Sequence, residues 1–173
     1  MAGGHASRRA ERAGGMIFLG FDPGLSGGVA SIDDEGRIEA HVMPVAGGEL
    51  DPRALGAWVW GAVLRHDCQA VACVEKVGAM PKQGLSSTFK FGKGYGTVLG
   101  VLGALGIRTE LVTPQAWKRV VLAGTDHGKD AAVAWCARAY PGVNLMRTPR
   151  CTSPHDGIAD AVCIAEYGRR AFK

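Results

Sequence analysis

The segment Ala70–Val77 constrains the fold of this chain more than any other. Its sequence, Ala-Val-Ala-Cys-Val-Glu-Lys-Val, is almost continuously apolar as far as Glu75. A short apolar run of this kind predicts a central β-strand that is buried on both faces. Such a strand needs other elements packed on both sides of its sheet, which favours an α/β fold.

Short apolar segments and turn residues predict the remaining elements. Strands are expected at Ile17–Asp22, Gly28–Asp33, Arg37–Val45 and Arg108–Thr113. Helices are expected from Asp51-Pro52, at Tyr95–Leu105, from Pro114 through Leu122, at Gly128–Tyr140, and from Ser153-Pro154 to about Arg170, with Gly78–Lys93 as a long loop. The first three strands fit an antiparallel meander, and the later strands fit crossover units. The expected fold class is therefore α/β, with a mixed five-stranded sheet flanked by helices.

Length and composition limit the classes of protein that need consideration. The chain has 173 residues, 47% of them hydrophobic, which suits one folded domain at residues 16–173 after a flexible tail at residues 1–15. The longest apolar-plus-glycine run, Val98–Ile107, is about half a membrane span. No secretory signal is recognised. Five cysteines without a C-x-x-C spacing argue against a zinc site or a disulfide framework and favour a reducing compartment.

The formal net charge of +4 conceals two regions of opposite charge. Residues 17–75 carry nine acids and three arginines, which gives −6, whereas residues 76–150 carry eleven lysines and arginines and three acids, which gives +8. A basic region of this size is typical of a protein that binds a polyanion. An ordinary solvated surface is the alternative interpretation.

Four acidic residues stand next to apolar sequence. Asp22 ends the first predicted strand, and Glu75 interrupts the central one. Asp156 and Asp160 are four residues apart at the start of the last helix, so they share one helix face. Each has a structural alternative, such as an Asp-Pro-Gly turn at Asp22 or a favourable helix-dipole interaction at Asp156. Taken together they predict a cluster of hard oxygen ligands, which suits Mg²⁺ or Mn²⁺ rather than zinc.

Several motifs in this order resemble the RuvC family of Holliday junction resolvases, in particular its phage-type and organellar branches. They are the residues Phe-Asp-Pro-Gly-Leu-Ser-Gly-Gly at 21–28, Val-Glu-Lys-Val at 74–77, the segment Met80–Gly92, Thr-Pro-Gln-Ala-Trp-Lys at 113–118, and His-Asp-Gly-Ile-Ala-Asp-Ala at 155–161. The resemblance spans about residues 16–170. It implies an RNase H-like fold, whose mixed five-stranded sheet agrees with the strand order predicted above.

The resemblance also implies a catalytic and metal-binding set of Asp22, Glu75, Asp156 and Asp160. These residues would hold two Mg²⁺ ions, with Mn²⁺ as a substitute, about 3.5–4 Å apart. In many bacterial members the penultimate acid stands three residues before the last one, where this chain has Gly157. Asp156 and His155 are therefore both candidates for that ligand, and a water-exposed helix-start histidine is the other interpretation of His155.

A DNA-contacting surface follows from the same resemblance. Lysines after Glu75 would neutralise phosphates near the junction, and a lysine after Pro114 would contact the scissile phosphate or its neighbour. Phe89 and Phe91 either wedge into an unpaired junction centre or anchor their loop to the core. The residues assigned to DNA binding are Lys82, Ser87, Phe89, Lys90, Lys93 and Lys118.

The implied function is a homodimeric endonuclease that resolves four-way DNA junctions by symmetric nicks in DNA recombination and repair. The glycine-rich helix Tyr95–Leu105 is the candidate dimer interface. The expected location is the cytoplasm of a bacterial or phage-infected cell, with an organelle as the other possibility, and no membrane partner is expected. Two alternatives stay open: a nuclease of the same fold acting on RNA or RNA/DNA hybrid, and a non-catalytic junction-binding protein. An actin-like ATPase would need a second copy of the fold.

Overall fold

A computed structural model describes residues 15–66, 69–78, 84–125, 128 and 130–173. Nearly all of the predicted tail at residues 1–15 lies outside the described residues. The strands are β1 (Met16–Asp22), β2 (Gly28–Asp33), β3 (Ile38–Val42), β4 (Val45–Ala46), β5 (Glu49–Leu50), β6 (Gln69–Glu75) and β7 (Arg108–Val112). The helices are α1 (Pro52–His66), α2 (Leu85–Ala104), α3 (Pro114–Val121), α4 (Ala131–Ala139) and α5 (Asp156–Phe172).

The main sheet has five strands in the order β3-β2-β1-β6-β7. β1, β2 and β3 pair antiparallel, while β6 runs parallel to β1 and β7 runs parallel to β6. The mixed five-stranded sheet predicted from the sequence is therefore confirmed. The parallel pairs are joined through α1 and α2, as crossover connections require.

Helices cover both faces of the sheet, so β6 is buried on both sides as its apolar sequence predicts. Cys73 faces a core formed with α3, α4 and α5, whereas Ala72 and Val74 face a second core formed with α1 and α2. α5 lies at the centre of the first core, and ten of its residues are buried. Within the described residues, no helix combines the length and the apolar character that a bilayer crossing requires.

Within the segment predicted as a loop at Gly78–Lys93, the residues from Leu85 onwards are helical, so the prediction was wrong there, and residues 79–83 lie outside the described residues. α2 begins at Leu85, about ten residues before the predicted start at Tyr95. Glycines and polar residues lower the intrinsic helix propensity of this segment. Tertiary packing compensates, because Gly94 is buried against Leu50 of the β4–β5 hairpin. The hairpin itself was missed, and β3 ends at Val42 rather than at Val45.

Three further boundaries differ from the predictions. β6 ends at Glu75, so this acid lies at the end of the central strand and not inside it. α4 begins at Ala131 instead of Gly128. α5 begins at Asp156 instead of Ser153-Pro154, because His155 is its N-cap: its Nδ1 accepts a hydrogen bond from the Ile158 N–H at 3.4 Å.

Candidate active site

Two of the predicted acids meet at one edge of the sheet. Asp22 is the last residue of β1, and Glu75 is the last residue of β6. These strands are parallel neighbours in which Phe21 pairs with Val74, so the two acids follow at equivalent positions on adjacent strands. The carboxyl ends of parallel strands are where open α/β sheets form their ligand sites.

α5 brings the other two acids to this edge through direct backbone contact with β1 and β2. A Cβ added to Gly20 would lie 2.1 Å from the Ala161 carbonyl oxygen, and one added to Gly28 would lie 2.4 Å from the Gly157 carbonyl oxygen. Only glycine permits such an approach, since real Cβ atoms do not come this close to backbone atoms. The start of α5 is therefore held directly over the end of β1.

The close approach of α5 to the sheet also limits which residue can occupy position 157. A Cβ on Gly157 would lie 2.4 Å from the Ser26 carbonyl oxygen and 2.7 Å from the Gly27 Cα. No acidic side chain fits there in this backbone. Asp156, one residue earlier, is exposed at the helix start and lines a cavity of about 260 Å³ together with Asp160 and Lys118. His155 is used as the N-cap, through its Nδ1.

The electrostatics of the site show that the four acids influence one another. Burial raises the pKa of Asp22 to about 7, and the nearby carboxylates of Glu75 and Asp160 add to this effect. Burial also raises the pKa of Asp160 to about 6, where Lys118 opposes the shift and Glu75 and Asp156 add to it. Buried carboxylates that repel one another are a setting in which cation binding is favourable.

The donor chemistry of this cluster fits a hard divalent cation, since its ligand atoms are carboxylate oxygens. In the part of the chain that the structure describes, no three His, Cys, Asp or Glu side chains are already arranged as a complete ligand set for a metal ion. Mutual repulsion among the carboxylates opposes such closure without a cation. The metal would be held by Asp22, Glu75 and Asp160. Asp156 is exposed beside Asp160, at the edge of the same cluster.

Trp117 is a site residue that the sequence analysis did not single out. Its side chain is fully buried, and its indole N–H donates a hydrogen bond of 2.8 Å to Glu75 Oε1. Lys118 Nζ lies 5.2 Å from the centroid of the same indole ring, which indicates a cation–π contact. One chemical signal for this contact was available: a buried Trp on α3 needs a hydrogen-bond partner for its N–H.

Most of the predicted DNA-contacting residues lie on the first turns of α2. Leu25, Ser26, Lys90 and Phe91 line a groove of about 230 Å³. Because the first two follow Asp22 closely in the chain, this groove lies next to the acid cluster. Phe91 is half-buried there, which matches the anchoring interpretation, whereas Phe89 is 74% exposed.

The other predicted DNA contacts differ in their surroundings. Ser87 lines the same groove, and Lys93 forms an ion pair with Glu49 across a distance of 2.5 Å. Lys118 is exposed beside Asp160, far from α2 in sequence. Lys82 lies outside the described residues.

The strand order and the covering helices define an RNase H-like fold. Three solved structures share this fold. The first is Thermus thermophilus RuvC, with 22% sequence identity and a TM-score of 0.53, and the match covers 90% of this chain and 96% of that chain. The second is T. thermophilus RuvC in complex with a Holliday junction substrate, with 19% identity, a TM-score of 0.59, and coverage of 88% of this chain and 92% of that chain. The third is the yeast mitochondrial Holliday junction resolvase Ydc2, with 13% identity, a TM-score of 0.51, and coverage of 88% of this chain and 77% of that chain. No protein-family model and no curated protein sequence matches the chain. At these identities the likeness establishes the fold.

Proposed function

We propose that this protein is a metal-dependent endonuclease that resolves four-way DNA junctions by paired symmetric nicks. The observation that carries the proposal is the meeting of Asp22, Glu75 and Asp160 at the carboxyl ends of β1 and β6. Support comes from the shared fold, since one structural neighbour was solved with a Holliday junction substrate. Mg²⁺, replaceable by Mn²⁺, is the proposed cofactor, with two ions per site.

The chain's own residues have distinct tasks in this proposal. When bound, the metal pair supplies a water of lowered pKa and neutralises charge on the phosphate and the leaving oxygen. Without a cation, the raised pKa of Asp22, about 7, leaves this carboxyl partly protonated at neutral pH. Lys118 adds a positive charge beside Asp160, where it is available to a phosphate oxygen.

DNA is proposed to cross the acid cluster and continue along the groove beside α2. Lys90 and Lys82 would contact backbone phosphates, with Ser87 as a hydrogen-bonding neighbour. Lys93 is assigned a smaller share because Glu49 already pairs with it. Phe89, exposed at the start of α2, is the candidate wedge at an unstacked junction centre.

Symmetric nicking requires two active sites related by a two-fold axis, so we propose a homodimer. α2 offers a surface for a second copy, because its exposed side carries Gly96, Gly100 and Gly103 with open space where a Cβ would stand. Glycines on one helix face allow close approach of a second helix. A Gly100→Glu variant that sediments as a monomer, while the unmodified protein sediments as a dimer, would support this interface.

One cleavage assay tests the proposal against its alternatives. The protein is incubated with Mg²⁺ and three labelled substrates: a four-way junction, a matched duplex and an RNA/DNA hybrid. Paired nicks at symmetric positions in the junction alone are expected. Cleavage of the hybrid alone would replace the proposal with an RNA-directed nuclease of the same fold.

A matched variant separates cleavage from binding. Asp22→Asn removes one negative charge at the metal site, so it should abolish cutting and leave junction binding intact. Junction binding without cutting by the unmodified protein would instead indicate a non-catalytic junction-binding protein. We place this activity in one nuclease domain at residues 16–173, in the cytoplasm of a bacterial or phage-infected cell or in an organelle. Free thiols at Cys73, Cys136, Cys151 and Cys163 support a reducing compartment.

A further inference from the structure

We propose that Trp117 is a positioning residue that holds the Glu75 carboxylate for cation binding through its indole N–H. The inference rests on the proposed function, because Glu75 is one of the proposed metal ligands. Trp117 Nε1 lies 2.8 Å from Glu75 Oε1, and the two residues are 42 positions apart in the chain. One oxygen of Glu75 is thereby fixed, and the other stays available to a cation.

Core packing alone does not explain why the Trp117 indole donates to an acidic side chain. Buried indole N–H groups usually find an acceptor, and main-chain carbonyls are the commonest ones. Among the described residues, the buried Nε1 of Trp58 has no protein acceptor. Trp117, which is fully buried, instead donates to an acid of the proposed site.

The hydrogen bond is held at both ends by a continuous backbone frame. On the acceptor side, Glu75 pairs with Val112 in the β6–β7 ladder, and the next residue extends the ladder through a bond of 2.7 Å from the Lys76 N–H to the Val112 carbonyl. On the donor side, Thr113 caps α3 by accepting from the Ala116 N–H. Val112 and Thr113 are adjacent in the chain, so one turn joins the two ends.

The Trp117 indole also contacts Lys118, so a mutation of Trp117 can affect that contact as well as the hydrogen bond to Glu75. Lys118 Nζ lies over the face of the ring, 5.2 Å from its centroid. The N–H at the edge of the ring donates the hydrogen bond to Glu75. A Trp117→Phe substitution keeps an aromatic face for Lys118 and most of the core packing. It removes the N–H. This variant therefore tests the hydrogen bond more specifically than a truncation to alanine.

The experiment measures Mg²⁺ binding to the DNA-free protein by thermal unfolding across a Mg²⁺ titration. Partners of metal ligands typically change metal affinity about 10- to 100-fold when removed. We expect the Mg²⁺ concentration at half-maximal stabilisation to rise by about that factor in Trp117→Phe. Trp135→Phe, another buried Trp that lies on α4, is the control and should keep the original midpoint.

A spectroscopic measurement on the unmodified protein keeps the inference testable if Trp117→Phe does not fold. The protein labelled with ¹⁵N-tryptophan has four indole N–H signals, and Phe variants of the other three tryptophans leave the Trp117 signal identified by elimination. This signal should move on addition of Mg²⁺. If Mg²⁺ stabilises the protein but the Trp117 signal is unchanged, the inference is overturned and the proposed function stands. If Mg²⁺ has no effect on stability or on any indole signal, the proposed function fails and the inference fails with it.

Discussion

Gly157, at the start of α5, lies directly against Gly27, in the turn between β1 and β2. A Cβ on Gly157 would stand 2.7 Å from the Gly27 Cα and 2.4 Å from the Ser26 carbonyl oxygen. This contact seats α5 on the sheet one residue from Asp156 and three residues from Asp160. It also explains why position 157 holds no carboxylate ligand in this chain.

Substitution of Gly157 should therefore damage both the fold and the site. For Gly157→Ala we expect a loss of about 3 kcal/mol in the free energy of unfolding, because the methyl group must displace backbone atoms. The start of α5 must move away from Asp22 to relieve the overlap, so Mg²⁺-dependent cleavage should fall as well. Urea denaturation and the junction assay measure the two effects.

Gly56→Ala is the matched control for that substitution. Its Cβ would meet only Val101 Cγ1, at an ordinary contact distance of 3.7 Å, in the interior of α1. Alanine is the better helix former by about 1 kcal/mol, so the control should be as stable as the original protein or more stable. Equal stability of the two alanine variants would refute the close contact at Gly157.

The sequence predicted the sheet better than it predicted the surroundings of the four acids. β1, β2 and β6 are apolar runs ended by turn residues, a signal that does not depend on the rest of the fold. The first turns of α2 carry no such signal, since Gly92 and Gly94 favour a loop. The packing of Gly94 against Leu50 is a tertiary contact that supports the helix there.

The geometry of the site required distances that a sequence does not contain. Spacing left Asp156 and His155 as alternatives for the penultimate ligand. The fold uses His155 as an N-cap and leaves no room for a side chain at Gly157. The Trp117–Glu75 hydrogen bond joins residues on two elements, so no local pattern could have predicted it.

Asp22→Asn should make the metal-free protein more stable at pH 8. Burial raises the Asp22 pKa from 3.8 to about 7, so the folded state binds a proton more tightly than the unfolded chain. The resulting stabilisation is complete below about pH 4 and is lost as the pH rises through 7. Asparagine carries no charge at any pH, so we expect a gain of roughly 1–3 kcal/mol at pH 8 and a smaller one at pH 5.

Urea denaturation at the two pH values, with and without Mg²⁺, measures this effect. Mg²⁺ should stabilise the unmodified protein at pH 8 and have little effect on Asp22→Asn. Asp130→Asn removes an exposed aspartate before α4 and serves as the charge control. A loss of metal-free stability in Asp22→Asn at pH 8 would contradict the raised pKa.

Glu166 should give the opposite pH dependence. Burial disfavours its charge, but hydrogen bonds from Arg169, Arg170 and Tyr140 outweigh burial and lower the pKa of Glu166 below its ordinary value. Its contribution is therefore present above about pH 4.5 and is lost as the pH falls through the lowered pKa. Glu166→Gln should cost about 2 kcal/mol at pH 7, and the difference should shrink in acid.

Denaturation curves between pH 3 and pH 7 measure this difference. Glu166 lies more than one turn beyond Asp160, at the opposite part of α5 from the acid cluster. Glu166→Gln should consequently keep the original Mg²⁺ midpoint. A changed Mg²⁺ requirement would show that this ion-pair cluster supports the site and not only the helix end.

Lys118→Gln should raise the pKa of Asp160 further. Burial is the main cause of the high Asp160 pKa, and Lys118 is the charge that opposes it. In the metal-free protein, NMR titration of the Asp160 carboxyl carbon should move to higher pH in the variant. Cleavage of the junction should fall about 100-fold, because the positive charge proposed to lie beside the reacting phosphate is lost. Arg119→Gln, the next exposed cation on α3, should change neither quantity.

Lys90 and Lys93 should contribute unequally to junction binding although both lie on α2. Lys90 is exposed and forms no ion pair among the described residues, whereas Lys93 pairs with Glu49 of β5. Each phosphate contact adds about 0.9 to the slope of log K against log salt concentration. Lys90→Ala should therefore lower the slope by about 1, measured by fluorescence anisotropy with a labelled junction. Lys93→Ala should lower it less, and Glu49→Ala should raise it by freeing Lys93. Equal slopes for the two lysine variants would show that the Glu49 pair opens when DNA binds.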